Sequence, residues 1–101
     1  LSLTGGQVRF LGRNDAGVVI FDALTSSIPD LADGTWHHVV AAWDGTFTLN
    51  GVRLFVDGQQ VFATTAAGTL TGGSTPVFVG RNVTLGTAGF NGLVDEAGVF
   101  D

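Results

Sequence analysis

The residues of this chain whose types and spacing invite chemistry are few. They are two adjacent histidines (His37, His38), three aspartates each followed by glycine (Asp33, Asp44, Asp57), one acidic pair (Asp95, Glu96) and two tryptophans (Trp36, Trp43). Neighbouring residues on a strand point to opposite faces. His37 and His38 therefore cannot close on one metal ion, and the expectation is that one is packed or hydrogen-bonded while the other lies near solvent. An aspartate before glycine can accept hydrogen bonds from nearby backbone amides, so Asp33, Asp44 and Asp57 read as turn formers. Asp95 and Glu96 diverge across a strand and do not make the facing carboxylates of a glycosidase; Glu96 is also the sole glutamate. Tryptophan rings can stack on sugars, but mid-strand positions assign Trp36 and Trp43 to the core, on opposite faces. No nucleophile–base pair, phosphate-binding loop or metal-ligand cluster is visible. Asn82-Val83-Thr84 fits the glycosylation sequon, a three-residue pattern that is common by chance.

These residues must be positioned by strands. Gln7 to Leu11 and Val18 to Leu24 flank Gly12-Arg13-Asn14-Asp15-Ala16-Gly17, which reads as a hairpin with a longer loop. Thr25 to Gly34 is a loop in which Pro29 restricts Ile28 to an extended shape. Trp36 to Asp44, Val52 to Val56 and Gln59 to Thr65 read as strands, with Asp57-Gly58 a short-hairpin turn. Phe47 to Leu49 fits a turn or strand fragment between them. Trp36, Val40 and Ala42 alternate with Val39, Ala41 and Trp43, so the first of these strands is expected to be buried on both faces. Ala66 to Thr75 is a small-residue loop, Pro76 to Gly80 a strand, Arg81 to Gly89 a polar loop, and Phe90 to Phe100 the last strand. No segment has a 3.6-residue apolar period, so no helix is expected. About seven antiparallel strands with short connections predict an all-β sandwich.

Composition narrows the function classes. The chain has 101 residues, 45% of them hydrophobic, which is one domain's worth of core or part of one. The net charge is −5, and the four basic residues, all arginine, are scattered. Nucleic acid and anionic membrane surfaces need concentrated positive charge, so neither is an expected partner. No apolar run approaches the roughly 20 residues that span a bilayer. Cysteine is absent, which removes disulfides, thiolate chemistry and zinc–sulfur sites. The chain starts at Leu1 and contains no methionine, which reads as a piece of a longer protein.

Four segments occur in order: D-G-T-W-H-H-V-V-A-A-W-D-G, R-L-F-V-D-G-Q-Q-V, P-V-F-V-G-R-N and F-N-G-L-V-D-E-A-G-V-F-D. Together they resemble the laminin-G-like, or concanavalin A-like, jelly-roll family, in its bacterial LamG-like group. The motifs run from Asp33 to Asp101. The resemblance implies two antiparallel sheets packed face to face, with the N-terminal strands of the family's domain missing from this chain. It implies a scaffold role for the histidine pair and places Asp95 where related proteins put a calcium-binding aspartate beside backbone carbonyls. Calcium is the one cofactor it suggests, with Asp95 as the ligand. The glutamate cluster of jelly-roll glucanases is absent. The expected function is a non-catalytic binding or adhesion module of a larger extracellular protein, recognising a glycan or a protein surface through loops at the sandwich rim. A purely structural spacer in a secreted enzyme or surface protein is the alternative, and a degenerate glycoside hydrolase comes third.

Overall fold

The computed structural model describes residues 1–26, 30–68 and 90–100. Six strands and no helix occur among them: β1 (Ser2–Thr4), β2 (Gln7–Arg13), β3 (Val19–Leu24), β4 (Val39–Trp43), β5 (Val52–Val56) and β6 (Gln59–Thr64). They form two antiparallel three-stranded sheets, β1-β2-β3 and β4-β5-β6. The expected strand Pro76 to Gly80, its flanking loops beyond Gly68 and the sequon at Asn82 lie outside the described residues.

The turns follow from residues that tolerate left-handed backbone. Gly5 (φ 55°) and Gly6 (φ 76°) link β1 to β2 in a two-residue turn closed by the Thr4–Gln7 pair. Asp57 (φ 51°) and Gly58 (φ 82°) do the same between β5 and β6, where Val56 pairs with Gln59. Between β2 and β3 the Asn14 carbonyl accepts from the Gly17 amide at 2.9 Å, and the Asn14 side chain accepts from the Val18 amide at 2.9 Å. A register shift at Gly12/Arg13 carries β2 two residues past its expected end.

Alternation builds one continuous core. Val8, Phe21 and Ala23 from the first sheet meet Val52 and Leu54 from the second, joined by Ile20 and Ala66. Across β4-β5-β6 the inward pairs are Val39–Val56, Ala41–Leu54, Trp43–Val52 and Leu54–Phe62. Leu54 and Val52 are fully buried. An aromatic row ties the layers together: Phe10 to Phe21 at 4.7 Å, Phe21 to Trp43 at 5.4 Å and Trp43 to Phe47 at 6.3 Å between ring centroids. The one buried polar residue of the described core, Thr25, has its hydroxyl accept from the Val8 amide at 3.0 Å while its own amide donates to the Val8 carbonyl. This anchors the chain as it leaves β3.

Three sequence expectations are corrected. β4 is buried on one face only; Val40, Ala42 and Trp36 lie on the open face, and Trp36 is 66% exposed. Its assignment to the core fails because its side chain faces an open groove rather than the packed interior. β4 starts at Val39 rather than Trp36, since the preceding residues are held by side-chain bonds instead of a ladder. Residues 90–100 form no strand and are exposed. Glu96 has φ 51°, outside the extended region, which breaks the alternation that the segment's sequence displays. No ladder bond pairs these residues with a described strand, and a strand without a ladder partner has no backbone satisfaction to gain.

Candidate functional site

The segment leading into β4 carries most of the candidate chemistry. Asp33 folds it into a turn: its Oδ1 accepts from the Thr35 amide at 2.9 Å and from the Thr35 hydroxyl at 2.7 Å. Four residues on, the His37 ring reaches back to the same Oδ1 through Nε2 at 3.1 Å. Its Nδ1 meets Asp57 Oδ2, on the β5–β6 turn, at 2.8 Å. Asp57 is fixed by the backbone as well: its Oδ1 accepts from the His38 amide at 2.9 Å, and its own amide donates to the His38 carbonyl at 2.8 Å. One imidazole thus bridges two carboxylates from two parts of the chain.

The electrostatics follow from this geometry. The Thr35 hydroxyl and amide, then the His37 ring, hold the Asp33 carboxyl down at about 2. The His37 ring, then the His38 amide, lowers Asp57. Asp57 and then Asp33 raise His37 above the ordinary histidine value. At the opposite end of β4, Asp44 repeats the turn logic: its carboxylate accepts from the Thr46 hydroxyl at 2.6 Å and the Thr46 amide at 2.8 Å, which lowers its pKa. A Cβ on Gly51 would lie 2.7 Å from that carboxylate.

The sequence expectations for these residues hold for the most part. Asp33, Asp44 and Asp57 all form turns. One histidine, His37, is hydrogen-bonded with its side chain 19% exposed, and the other, His38, is exposed. The joining of Asp33, His37 and Asp57 was not legible. A loop contact four residues long and a reach of twenty residues to a hairpin tip leave no periodic trace.

Beside this cluster an open groove of about 430 Å³ lies between the pre-β4 segment and the 90–93 segment. Leu3, Leu31, Thr35, Trp36, Phe90 and Asn91 are among its lining residues. Trp36 is 66% and Phe90 44% exposed, so two aromatic rings of the groove face solvent. None of the described lining residues is ionisable. Asp95 lies outside the lining, exposed, with its Oδ1 accepting from the Glu96 amide at 2.9 Å. Among the described residues no group of three or more histidine, cysteine, aspartate or glutamate side chains could hold a metal ion.

The described strands make an all-β antiparallel fold of two sheets, with the candidate groove between connecting segments. A laminin G family model, described as the concanavalin A-like lectin/glucanases superfamily, matches residues 2–101, and the chain belongs to that family. The match extends from the Asp33–Asp101 motifs back through β1, β2 and β3. No curated protein and no solved structure matches the chain. Domains of this family are often binding or adhesion modules, and laminin-G-like domains are generally non-catalytic. Among the described residues no helix is long and apolar enough to cross a membrane.

Proposed function

We propose that this domain is a non-catalytic binding or adhesion module of a larger extracellular bacterial protein, and that it takes a glycan in the groove beside Trp36. The observation that carries this reading is the pair of exposed rings, Trp36 and Phe90, flanking an uncharged groove that includes the Asn91 amide. An aromatic face stacks on the C–H face of a pyranose, and an amide supplies both a donor and an acceptor for sugar hydroxyls. Buried Trp36 would serve packing; at 66% exposure it is free to serve a ligand. The lack of ionisable lining favours neutral glycans over sialylated or sulfated ones, whose charge would go unpaired.

A glycan array probed with the chain tests this. Neutral glycans should be retained, and Trp36→Ala should lose most of that binding while its circular dichroism spectrum is unchanged. Selective retention of anionic glycans, or unchanged binding by Trp36→Ala, would overturn the assignment of the groove. Binding to no glycan at all would favour the spacer reading.

Asp95 remains our proposed calcium ligand. Calcium takes about six to eight oxygens, and one carboxylate is far short of that. In this reading carbonyl oxygens from strands before Leu1 complete the shell, and the 101-residue chain alone is expected to show no calcium-dependent rise in Tm. A rise in the chain alone that disappears in Asp95→Asn would place a complete shell here and overturn that expectation.

A further inference from the structure

We infer that His37 is a positioning residue for the Trp36 platform, a clamp that closes when its imidazole carries two protons and opens at the Asp33 end when it carries one. The ring spans two parts of the chain that no strand ladder joins: the turn at Asp33, which leads into Trp36, and the β5–β6 hairpin tip at Asp57. Both ring nitrogens face carboxylate oxygens, at 3.1 Å and 2.8 Å. A carboxylate is an acceptor only, so both contacts are hydrogen bonds only when both nitrogens bear hydrogen. A neutral ring has one N–H and must leave one carboxylate facing a lone pair.

The geometry also selects which bond is lost. The Asp57 contact is the shorter, and that residue is held twice to the His38 backbone, its carboxylate accepting from the His38 amide and its own amide donating to the His38 carbonyl. On the other side, the Thr35 hydroxyl lies 3.1 Å from His37 Nε2 and 2.7 Å from Asp33 Oδ1. When Nε2 loses its proton, that hydroxyl can turn from Asp33 to donate to Nε2. Asp33 then keeps only the Thr35 amide, and the 33–36 turn is tied to the ring through the Thr35 hydroxyl alone. The charged groups facing the ring are Asp33 from its own segment and Asp57 from the β5–β6 tip; His38, next in the chain, is tied to the same Asp57 carboxylate through its amide.

The sign of the pH dependence is fixed by the direction of the shift. His37 is raised on folding, so its contribution is complete below about pH 6.5, the ordinary histidine value, and is lost as pH rises through the higher folded value. Asp33 and Asp57 are lowered on folding, so their contribution is present above about pH 4 and is lost as pH falls. Closure is therefore greatest between these limits, and opening above them loosens the turn that carries Trp36.

The clamp acts on the groove assigned above to a glycan, but it is tested on the protein alone, so absence of a glycan ligand leaves it standing and its own failure leaves the glycan assignment standing. The test follows the His37 ring nitrogens by ¹⁵N NMR from pH 4.5 to 9, together with backbone heteronuclear NOEs of Gly34 to Trp36. The expected result is a His37 midpoint above the ordinary histidine value and a loss of order at residues 34–36 through that same midpoint, with Nε2 as the nitrogen that deprotonates. Asp33→Asn and Asp57→Asn, both isosteric and the second well suited to a left-handed turn position, should each lower the midpoint. Asp33→Asn should also uncouple residues 34–36 from it. An unshifted His37, or order at residues 34–36 that ignores its titration, overturns the clamp.

Discussion

Leu54→Ala is expected to lower the stability of this domain by about 3–5 kcal/mol, while Trp36→Ala stays within about 0.5 kcal/mol of the parent. Leu54 is fully buried at the middle of β5, between Ala41 on β4 and Phe62 on β6, and it faces the first sheet. Truncation removes the transfer free energy of its methyl groups and leaves a cavity whose walls are ladder-bonded strands that cannot close in. For a domain of about 100 residues each kcal/mol shifts Tm by roughly 4–8 °C, so the fall should exceed about 12 °C. A total stability of about 5–15 kcal/mol leaves such a variant near the limit of folding. Thermal denaturation of both variants reads the contrast directly. A large loss in Trp36→Ala with little in Leu54→Ala would mean that the open face of β4 is the true core.

That contrast marks where the sequence is legible. Inside β5 the alternation of Val52, Leu54 and Val56 against Arg53 is unambiguous, and the Asp57-Gly58 dipeptide fixes both the turn and the register of the next strand. β4 is harder, because V-V-A-A-W is apolar at every position and alternation cannot choose a face. The choice is made by what packs opposite: Phe21 reaches Trp43, while Val40 and Trp36 stay exposed among the described residues. β1 was missed although its signal was present. Gly5-Gly6 between Leu3 and Val8 is a two-residue hairpin dipeptide, but the strand before it has only three residues, too few to show an alternation. The 90–100 segment errs the other way. Its local pattern reads as a strand, and pattern carries no information on whether a ladder partner exists.

The candidate site was legible in its parts but not in its assembly. Each aspartate before glycine was readable as a turn former from the local preference of its side chain for nearby amides. The bridge through His37 depends on the hairpin tip at Asp57 folding over the pre-β4 segment, a tertiary fact set by the Val39–Val56 pairing. The groove needs the same tertiary placement. It brings Leu3, Trp36 and Phe90 together from the beginning, middle and end of the chain.

The second large effect concerns a residue with no side chain. Gly12→Ala is expected to cost about 1–3 kcal/mol, a fall in Tm of roughly 4–24 °C. Gly12 pairs directly with Phe21 across β2 and β3, and the Phe21 ring lies over it. A Cβ at position 12 would sit 2.3 Å from one ring carbon and 2.5 Å from the next. The ring cannot step aside, since Phe10 lies 4.7 Å and Trp43 5.4 Å away, centroid to centroid. Displacing it would push on the only aromatic contact that joins the two sheets among the described residues. Ordinary glycine replacement in a strand runs in the opposite direction, gaining about 0.4–1 kcal/mol by restricting the unfolded chain, so a net loss here isolates the steric term. Phe21→Leu separates the two further. It removes the ring atoms that meet the new methyl, so Gly12→Ala should cost less in that background than in the parent, with a coupling of about 0.5–3 kcal/mol. Urea denaturation of the four proteins in this cycle measures that coupling. Equal cost in both backgrounds would mean that the ring does not occupy the space above Gly12.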